Sequence, residues 1–352
     1  MKLWFERGAY ASKKGRRIAA ELEPEKVKNI AVIRHAALGD MVITRAFLQE
    51  ARRFFPNAQI TLSLVSNYTY SAPEDLVDRV HVIHGSDQRG TPIRERIARI
   101  KELGEQDIIF DLAATNRSYY VCLFNKAKLK LGFPYKPIQN RIFYDLGILR
   151  SDFKFEAETM LDFLNLLGHQ PRYPLEFGYP RYDAASCQPR VVYFFGASTA
   201  NKCYPQAQMI EVIDRLATSA PEHQHVILEG IKPHEKADKI IAQLKHHTNV
   251  SVQTQLSLEE VIPWLAESKL LVCNDTGVRN LAIATHTPTL GLFFSTVPYR
   301  YWPRYEPHYA VFNADGSLPT VEAVSQEILH ALGLGTPAPT LTPAPIPAPT
   351  EA

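Results

Sequence analysis

The stretch that decides the fold is Asn274-Asp275-Thr276-Gly277, which stands between the apolar run Leu270 to Cys273 and the run Val278 to His286. This order is typical of a strand, a tight turn and a helix. A second apolar run follows at once, so the unit is β-turn-α-β. The unpaired N–H groups and the dipole at the helix N-terminus favour a bound anion there. Asp275 could alternatively serve only as the N-cap of its helix.

Predicted strands and helices alternate outward from this unit along most of the chain. In the first half, strands are predicted at Ile30 to Arg34, Gln59 to Val65, Val80 to Ile83 and Asp107 to Leu112, and helices at Met41 to Phe55, Ile93 to Leu103, Ser118 to Asn125 and Glu156 to Leu167. In the second half, strands are predicted at Val191 to Phe195, His225 to Leu228, Leu270 to Cys273 and Pro288 to Phe294, and helices at Ala207 to Thr218, Glu235 to Leu244, Leu258 to Glu267, Val278 to His286 and Thr320 to Leu332. Because such alternation produces parallel sheets with right-handed crossovers, the predicted fold class is α/β.

The chain has 352 residues, more than the ~250–300 at which a single core stops growing, so two domains are expected. The predicted boundaries are a basic N-terminal arm over residues 1–28, a first domain over 29–170, a linker over 171–189, a second domain over 190–333 and a Pro-rich tail over 334–352. The arm carries Trp4, Phe5 and Tyr10 among its basic residues, so it is either a solvated segment or a peripheral membrane contact. Two doubly wound domains would face each other across a cleft at their carboxyl edges.

Composition excludes several classes of protein. A net charge of +2 and a pI near 8.2 do not indicate a dedicated nucleic-acid binder. The four cysteines contain no Cys-x-x-Cys pair, which argues against a disulfide framework or a cysteine zinc site and fits a reducing cytosol. No apolar run reaches the ~18–20 residues of a membrane span, and the first 28 residues lack the apolar core of a signal peptide.

Several common phosphate-binding motifs are missing from the sequence. The first predicted strand is not followed by Gly-x-Gly-x-x-Gly, which counts against a dinucleotide oxidoreductase. Gly85 to Thr91 has the glycine spacing of a P-loop but lacks its lysine, which predicts a surface turn. Because the chain has no Asp-x-Asp pair, a metal bridging a diphosphate has no obvious holder. Any bound diphosphate would have to be neutralised by protein cations and helix dipoles.

Four ordered motifs together resemble glycosyltransferase family 9, the bacterial lipopolysaccharide heptosyltransferases. Asp275-Thr276-Gly277, followed by Leu281-Ala282 and Thr287-Pro288-Thr289, is similar to the family signature. His35-Ala36-Ala37-Leu38-Gly39-Asp40 resembles its Gly-Asp loop, Lys202-Cys203-Tyr204-Pro205 its Lys-x-Trp-Pro motif, and Pro233-His234-Glu235 its nucleotide-side glutamate. The resemblance spans about residues 29 to 312.

The resemblance implies a GT-B fold of two Rossmann-like domains, with the acceptor bound by the first and the donor by the second. It implies an inverting, metal-independent transfer without a cofactor, from ADP-heptose to the anionic Kdo-lipid A inner core of lipopolysaccharide. The protein would then be cytoplasmic and peripherally associated with the inner face of the cytoplasmic membrane, with no nucleic-acid partner.

The same resemblance assigns roles to individual residues. Asp40 is the candidate general base, with a helix N-cap as the alternative. The residues assigned to the donor are Lys202, Glu235, Asp275, Thr276, Gly277 and Asn280, and those assigned to the acceptor are Arg34, Gly39 and Arg117. Glu235 could equally cap the helix predicted to follow it. No residue is assigned to a metal.

From Arg117 to Arg141 the chain has six Lys or Arg and no Asp or Glu, with aromatic residues interleaved. This stretch suits an anionic acceptor, although a solvated loop with a few aromatic core residues would have the same composition.

Departures from the family pattern are confined to the donor side. Asn280 stands in place of a histidine and follows the unusual Arg279, Tyr204 replaces a tryptophan, and Phe294-Ser295 stands in place of a Gly-Pro turn. Another nucleotide sugar therefore remains an alternative donor. A nucleotide-sugar-binding protein without turnover and an unrelated Rossmann-type oxidoreductase or epimerase are the other hypotheses. Retention of both Asp40 and Lys202 argues against the former, and the missing glycine fingerprint argues against the latter.

Overall fold

The computed structural model describes residues 9–134 and 142–336. The chain divides into two compact units, Met1–Gly178 and Tyr179–Ala352. The division lies inside the predicted linker. Both units are α/β, with a mainly parallel sheet covered by helices, so the predicted fold class is confirmed.

The first unit contains seven described strands in the order β1-β7-β6-β5-β2-β3-β4. The strands are β1 Tyr10–Ala11, β2 Asn29–Ile33, β3 Gln59–Val65, β4 Arg79–Ile83, β5 Gln106–Asp111, β6 Ala127–Gly132 and β7 Leu146–Gly147. The helices are α1 Lys13–Ala20, α2 Leu38–Phe54, α3 Ile93–Lys101, α4 Asn116–Phe124 and α5 Glu156–Leu166. Only β1 runs antiparallel to its neighbour. The inner strand β2 is buried along nearly its whole length, which is typical of a parallel sheet covered on both faces.

Part of the predicted N-terminal arm belongs to this unit. Strand β1 pairs with β7, and Ser12 caps α1 by accepting a hydrogen bond from the Gly15 N–H. A Cβ at Gly15 would lie 2.7 Å from the Asp145 carbonyl oxygen, so the helix approaches the sheet closely. Trp4 and Phe5 lie outside the described residues. The arm therefore includes a structured segment, and its boundary at residue 28 stays a prediction.

The second unit contains six described strands in the order β10-β9-β8-β11-β12-β13, all parallel. The strands are β8 Gln188–Phe194, β9 Gln224–Leu228, β10 Val250–Gln253, β11 Ser268–Asn274, β12 Thr289–Leu292 and β13 His308–Val311. The helices are α6 Gln206–Ser219, α7 Asp238–Ile241, α8 Leu258–Ala266, α9 Gly277–Ala284 and α10 Val321–Ala331. Strands β8 and β11 lie side by side at the centre, so the loops that follow them meet at one edge.

The predicted elements are confirmed in most places and wrong in a few. The strand Gln59–Val65 agrees at both ends, and Gly85 to Thr91 forms the predicted surface turn. The helix predicted from Glu235 to Leu244 is wrong in extent, because Pro233–Glu235 form a 3₁₀ turn and the α-helix covers only Asp238–Ile241. Strands β1, β6, β7, β10 and β13 were not predicted. Among the described residues, no helix is long and apolar enough to cross a membrane.

Candidate functional site

Asp40 lies in the first turn of α2, directly beyond the carboxyl end of β2. The N-cap of this helix is Ala37, and no side chain caps it, so the alternative that Asp40 is the N-cap is wrong. Asp40 Oδ1 is buried and lies 3.3 Å from Nη2 of Arg34, whereas the side chain as a whole is 33% exposed. One carboxylate oxygen therefore faces the protein, which leaves Oδ2 for a ligand.

Arg34 is the buried cation that faces Asp40. Its side chain is 2% exposed, and Nη1 donates to the Leu112 carbonyl at 2.6 Å and to Glu156 Oε1 at 3.2 Å. Arg150 also pairs with Glu156, a fully buried carboxylate at the start of α5. A buried charge is tolerated only when it is paired, so these contacts fix Arg34 in the interior. Its predicted contact with the acceptor stays a prediction.

Glu156 was missed by the sequence analysis. Its position at the start of a predicted helix is the usual place for an exposed acidic residue, and no sequence motif indicated a buried partner for Arg34.

His35 lies beside these residues as a neutral imidazole. Burial, followed by the nearby charges of Arg117 and His81, lowers the pKa of His35 to about 3. Its Nδ1 lies 3.3 Å from the Thr115 hydroxyl, and its Nε2 is buried without a hydrogen-bond partner among the described residues. At neutral pH this imidazole therefore contributes a dipole but no charge to the edge of the sheet.

Asp111, at the end of β5, shapes the turn that leads to Arg117. Its fully buried carboxylate accepts hydrogen bonds from the Ala113 and Ala114 N–H groups, the Ser118 hydroxyl and the Tyr144 hydroxyl, and burial raises the pKa of Asp111. A capping box of Thr115 and Ser118 then starts α4. The sequence analysis missed Asp111, although a carboxylate at the end of an apolar strand is a recognisable signal.

Arg117 lies in the first turn of α4 with an exposed side chain that has no hydrogen bond or ion pair to any described residue. The basic stretch that begins here is mostly regular structure, so the solvated-loop alternative is wrong for residues 117–132. Lys128 pairs with Asp107 at 2.7 Å, and Lys130 donates to the Cys122 carbonyl. Residues 135–141, the last part of the stretch, lie outside the described residues. Arg117 and Lys126 are thus the exposed cations of the described stretch that remain available to an anion.

In the second unit, Lys202 and Asp275 form an ion pair at the carboxyl edge of the sheet. Lys202 Nζ lies 2.9 Å from Asp275 Oδ2, and the Thr296 hydroxyl donates to the same oxygen at 3.1 Å. Thr276, not Asp275, is the N-cap of α9, and its side chain makes no capping hydrogen bond. The alternative that Asp275 caps this helix is therefore wrong. The Arg279 N–H donates to the Thr276 carbonyl, which leaves the N–H groups of Gly277 and Val278 for an anion.

Asn274, the last residue of β11, joins the loops around this pair. It is fully buried, donates to the Phe195 carbonyl at 2.8 Å and accepts from the Tyr204 N–H at 2.9 Å. Tyr204 is itself buried and donates its hydroxyl to the Pro319 carbonyl. The residue that replaces the family tryptophan is therefore a packing residue in this chain. The sequence analysis quoted Asn274 without assigning it a role.

Glu235 closes a turn at the neighbouring strand ends. Its carboxylate accepts the Lys232 N–H at 3.0 Å, and its side chain is only 8% exposed. A Cβ at Gly196 or Gly230 would lie 2.6 Å or less from Glu235 side-chain atoms, so both glycines make room for this carboxylate. Because the next helix has no side-chain cap, the alternative that Glu235 caps it is wrong.

Arg279 and Asn280 follow inside α9, and both are buried. Arg279 donates Nη1 to the Tyr301 carbonyl and lies over the Phe293 ring, while its Nε and Nη2 have no hydrogen-bond partner among the described residues. Burial lowers the pKa of Arg279. Its positive charge lies close enough to Asp275 to interact with that carboxylate, so the buried guanidinium adds positive charge near the N-terminus of α9.

A cavity of 470 Å³ begins beside the ion pair, at the carboxyl ends of β12 and β13. Thr296, which contacts Asp275, is part of its wall together with Phe294 and Asn313. Phe294, which stands where the family has a turn glycine, therefore contributes an aromatic wall to this cavity. The volume of this cavity is within the range of small-molecule binding sites.

The sequence matches one known protein family and is similar to a named relative. Residues 96–329 match the model of a family described as glycosyltransferase family 9 (heptosyltransferase). The chain is 21% identical over 296 residues to the lipopolysaccharide heptosyltransferase 1 of Campylobacter coli, covering 77% of this chain and 85% of the relative.

Two solved structures share the fold. The E. coli heptosyltransferase WaaC with ADP has a TM-score of 0.68 and 19% identity, covering 86% of this chain and 99% of that one. The E. coli ADP-heptose lipopolysaccharide heptosyltransferase II has a TM-score of 0.63 and 18% identity, covering 87% and 97%.

The neutral state of His35 predicts an acid-sensitive contribution to stability. The unfolded imidazole keeps a pKa near 6.5, whereas the folded one has a pKa of about 3, so between these values the unfolded chain binds a proton that the folded protein does not. The contribution of the neutral imidazole to the free energy of unfolding is complete above pH 6.5 and is lost as the pH falls toward 3. Between about pH 7.5 and about pH 4.5, wild type should lose about 2–3 kcal/mol more free energy of unfolding than His35→Gln, measured in urea.

The matched control is His234→Gln, which removes an imidazole that is 56% exposed. This variant should follow wild type across the same pH range. Equal losses in wild type and His35→Gln would show that the folded protein protonates His35 normally.

Proposed function

The chain belongs to glycosyltransferase family 9, and from that premise we propose that it transfers a heptose from ADP-heptose to the Kdo-lipid A inner core of lipopolysaccharide. The proposal takes its donor and its lipopolysaccharide acceptor from the named functions of the relatives. The observation that carries it is the geometry of Asp40, one oxygen of which is turned to Arg34 while the side chain stays one-third exposed. A general base needs this combination of a fixed orientation and an available oxygen.

In the proposed inverting reaction the acceptor hydroxyl attacks the anomeric carbon from the face opposite the leaving group. The new C–O bond forms as the bond between the anomeric carbon and the diphosphate oxygen breaks, and ADP leaves with that electron pair. Asp40 Oδ2 takes the hydroxyl proton. Arg34 orients Asp40, because its guanidinium lies 3.3 Å from Oδ1. The guanidinium is itself held by the Leu112 carbonyl and the Glu156 carboxylate.

The leaving diphosphate is proposed to bind at the N-terminus of α9. Lys202 is a compact charge that can turn toward a phosphate while Asp275 keeps it near the helix. Thr276 and Gly277 would supply a hydroxyl and backbone N–H groups, Asn280 would support the turn, and Glu235 would accept from ribose hydroxyls. Hydrogen-bond donors and cations stabilise the transition state most when they face the negative charge that develops on the leaving group.

Metal independence is part of the proposal. Among the described residues, the His, Cys, Asp and Glu side chains grouped closely enough to hold a metal are Asp214, His246 and His247, and none of them belongs to the proposed donor site. Lys202, Arg279 and the N-terminus of α9 provide positive charge without a metal.

We also propose that the first unit contacts anionic lipid, as a cytoplasmic protein bound peripherally to the inner membrane. A cavity of 410 Å³ lies between α3 and α4, with mostly apolar walls and with Arg96 and Arg117 among its lining residues. Large apolar side chains are exposed around it: Ile93, Tyr120, Leu123 and Phe124. An apolar surface edged by arginines suits an acceptor with acyl chains and anionic groups.

The base role of Asp40 predicts a large loss of turnover in Asp40→Asn. The amide keeps the size of the side chain but cannot take the hydroxyl proton, so kcat should fall by roughly 10²–10⁴ while the melting temperature and donor affinity stay near normal. Asp162→Asn is the matched control, because Asp162 is a helical aspartate 32% exposed and paired with Lys154. Turnover of Asp40→Asn within about threefold of the control would exclude the base role.

The lipid contact predicts that Leu123→Ser weakens binding to vesicles of phosphatidylglycerol and phosphatidylethanolamine. Leu166→Ser is the matched control, since both leucines lie near helix ends in the first unit and are 47% and 46% exposed. Sedimentation should show reduced binding only for Leu123→Ser, and wild-type binding should fall with salt as charges become screened within ~8–10 Å. Equal binding by the two variants, or wild-type binding that resists high salt, would exclude this surface.

A further inference from the structure

A cluster of two imidazoles and one carboxylate lies in the second unit, outside the proposed donor site. Nε2 of His246 lies 2.9 Å from Asp214 Oδ1, and Nε2 of His247 lies 2.8 Å from the same oxygen. The three ligand atoms all lie within 4.8 Å of one another, and the two rings are 4.1 Å apart between centroids. Two side chains from one segment and one from a helix therefore direct their coordinating atoms to a single point.

The segment that carries the two histidines is held in place by the backbone around it. The His247 N–H donates to the Leu244 carbonyl, and Asn249 donates its side-chain amide to the carbonyls of Ala217, near the end of α6, and His223. Asp214 lies on the same helix α6. His247 is the more enclosed ligand, with a side chain only 13% exposed, whereas His246 is 62% exposed. Ligands that are positioned before binding lose little conformational freedom on binding.

The ligand set fits a divalent transition metal better than magnesium or calcium. Imidazole nitrogens together with one carboxylate oxygen are typical zinc ligands, whereas magnesium and calcium favour sites built of oxygen alone. Tetrahedral zinc with bonds of about 2.0–2.1 Å separates its ligand atoms by about 3.3 Å, so each imidazole needs to move back from Asp214 by only about half an ångström. The fourth position would be open to water.

The cluster is placed to stabilise the unit, away from the proposed chemistry. His247 lies three residues before β10, and therefore near the amino edge of the parallel sheet, whereas Lys202 and Asp275 lie at its carboxyl edge. A metal here would connect α6 to the segment that enters β10, two elements that are also linked by the Asn249 side chain. A ligand that binds only the folded state shifts the folding equilibrium toward that state.

We propose that Asp214, His246 and His247 form a zinc site that stabilises the second unit. The site binds one zinc ion per chain through Nε2 of each histidine and Oδ1 of Asp214, and each imidazole then carries its proton on Nδ1. Binding at this site is independent of the transfer reaction, so its test does not depend on the proposed donor or acceptor.

The experiment is zinc titration of the metal-free full-length protein, without a polyhistidine tag, by calorimetry and by thermal unfolding. Wild type should bind one equivalent, and zinc should raise its melting temperature by about 2 °C or more. His247→Gln and Asp214→Asn should weaken zinc binding by about tenfold or more and abolish the thermal shift. His246→Gln, a change at a mostly exposed side chain, should do the same without affecting the fold.

The matched control is His330→Gln, which removes an imidazole 3.4 Å from the Glu327 carboxylate on helix α10. It should bind zinc as wild type does. The proposal is overturned if wild type binds no zinc, or if His246→Gln and Asp214→Asn bind as tightly as His330→Gln. Magnesium, which prefers oxygen ligands, should produce no thermal shift through this cluster, and a magnesium shift as large as that of zinc would also overturn it.

Discussion

The first unit is organised around one buried cation, Arg34. Its guanidinium holds the carbonyl that follows β5, the carboxylate that opens α5 and the first turn of α2, so three elements are fixed around the end of β2. Burying a guanidinium is costly unless it is paired, and Glu156 supplies the fully buried partner. Removing Glu156 would deprive Arg34 of its fully buried anionic partner, whereas removing Arg34 would leave Glu156 paired with Arg150. The orientation of Asp40, and with it the proposed base, depends on this arrangement.

The second unit places its charges differently. Lys202 and Asp275 are partly exposed and hold each other in place, whereas Arg279 is buried beneath them with two nitrogens that lack hydrogen bonds among the described residues. A partly exposed ion pair can exchange one partner for an incoming phosphate, since it gains little net energy in a solvated setting. A buried arginine cannot move in this way and contributes a fixed field. The proposed donor site thus combines a mobile cation with a stationary one.

The sequence predicted the architecture because apolar periodicity is a strong signal in buried parallel strands such as β3 and β11. Strand β6 was missed because lysines 128 and 130 break its apolar run, and their ion pair and hydrogen bond become apparent only in three dimensions. The residues at the strand ends, including Asp40, Lys202 and Asp275, were identified from motifs. Glu156, which pairs with Arg34, and Thr296, which contacts Asp275, were not, because contacts between residues distant in sequence leave no local pattern. The capping alternatives for Asp40, Asp275 and Glu235 also required the structure, since motif spacing does not distinguish the N-cap from its neighbours.

The central claim is that this member of glycosyltransferase family 9 transfers heptose from ADP-heptose by a reaction that requires no metal. The most direct measurement is mass spectrometry of a Kdo-lipid A acceptor after incubation with the purified protein and EDTA, with ADP-heptose and a panel of other nucleotide sugars in parallel. The account predicts that the acceptor gains one heptose with ADP-heptose, and at the same rate when magnesium replaces EDTA. Absence of product with every donor, or product that forms only when magnesium is restored, would contradict it.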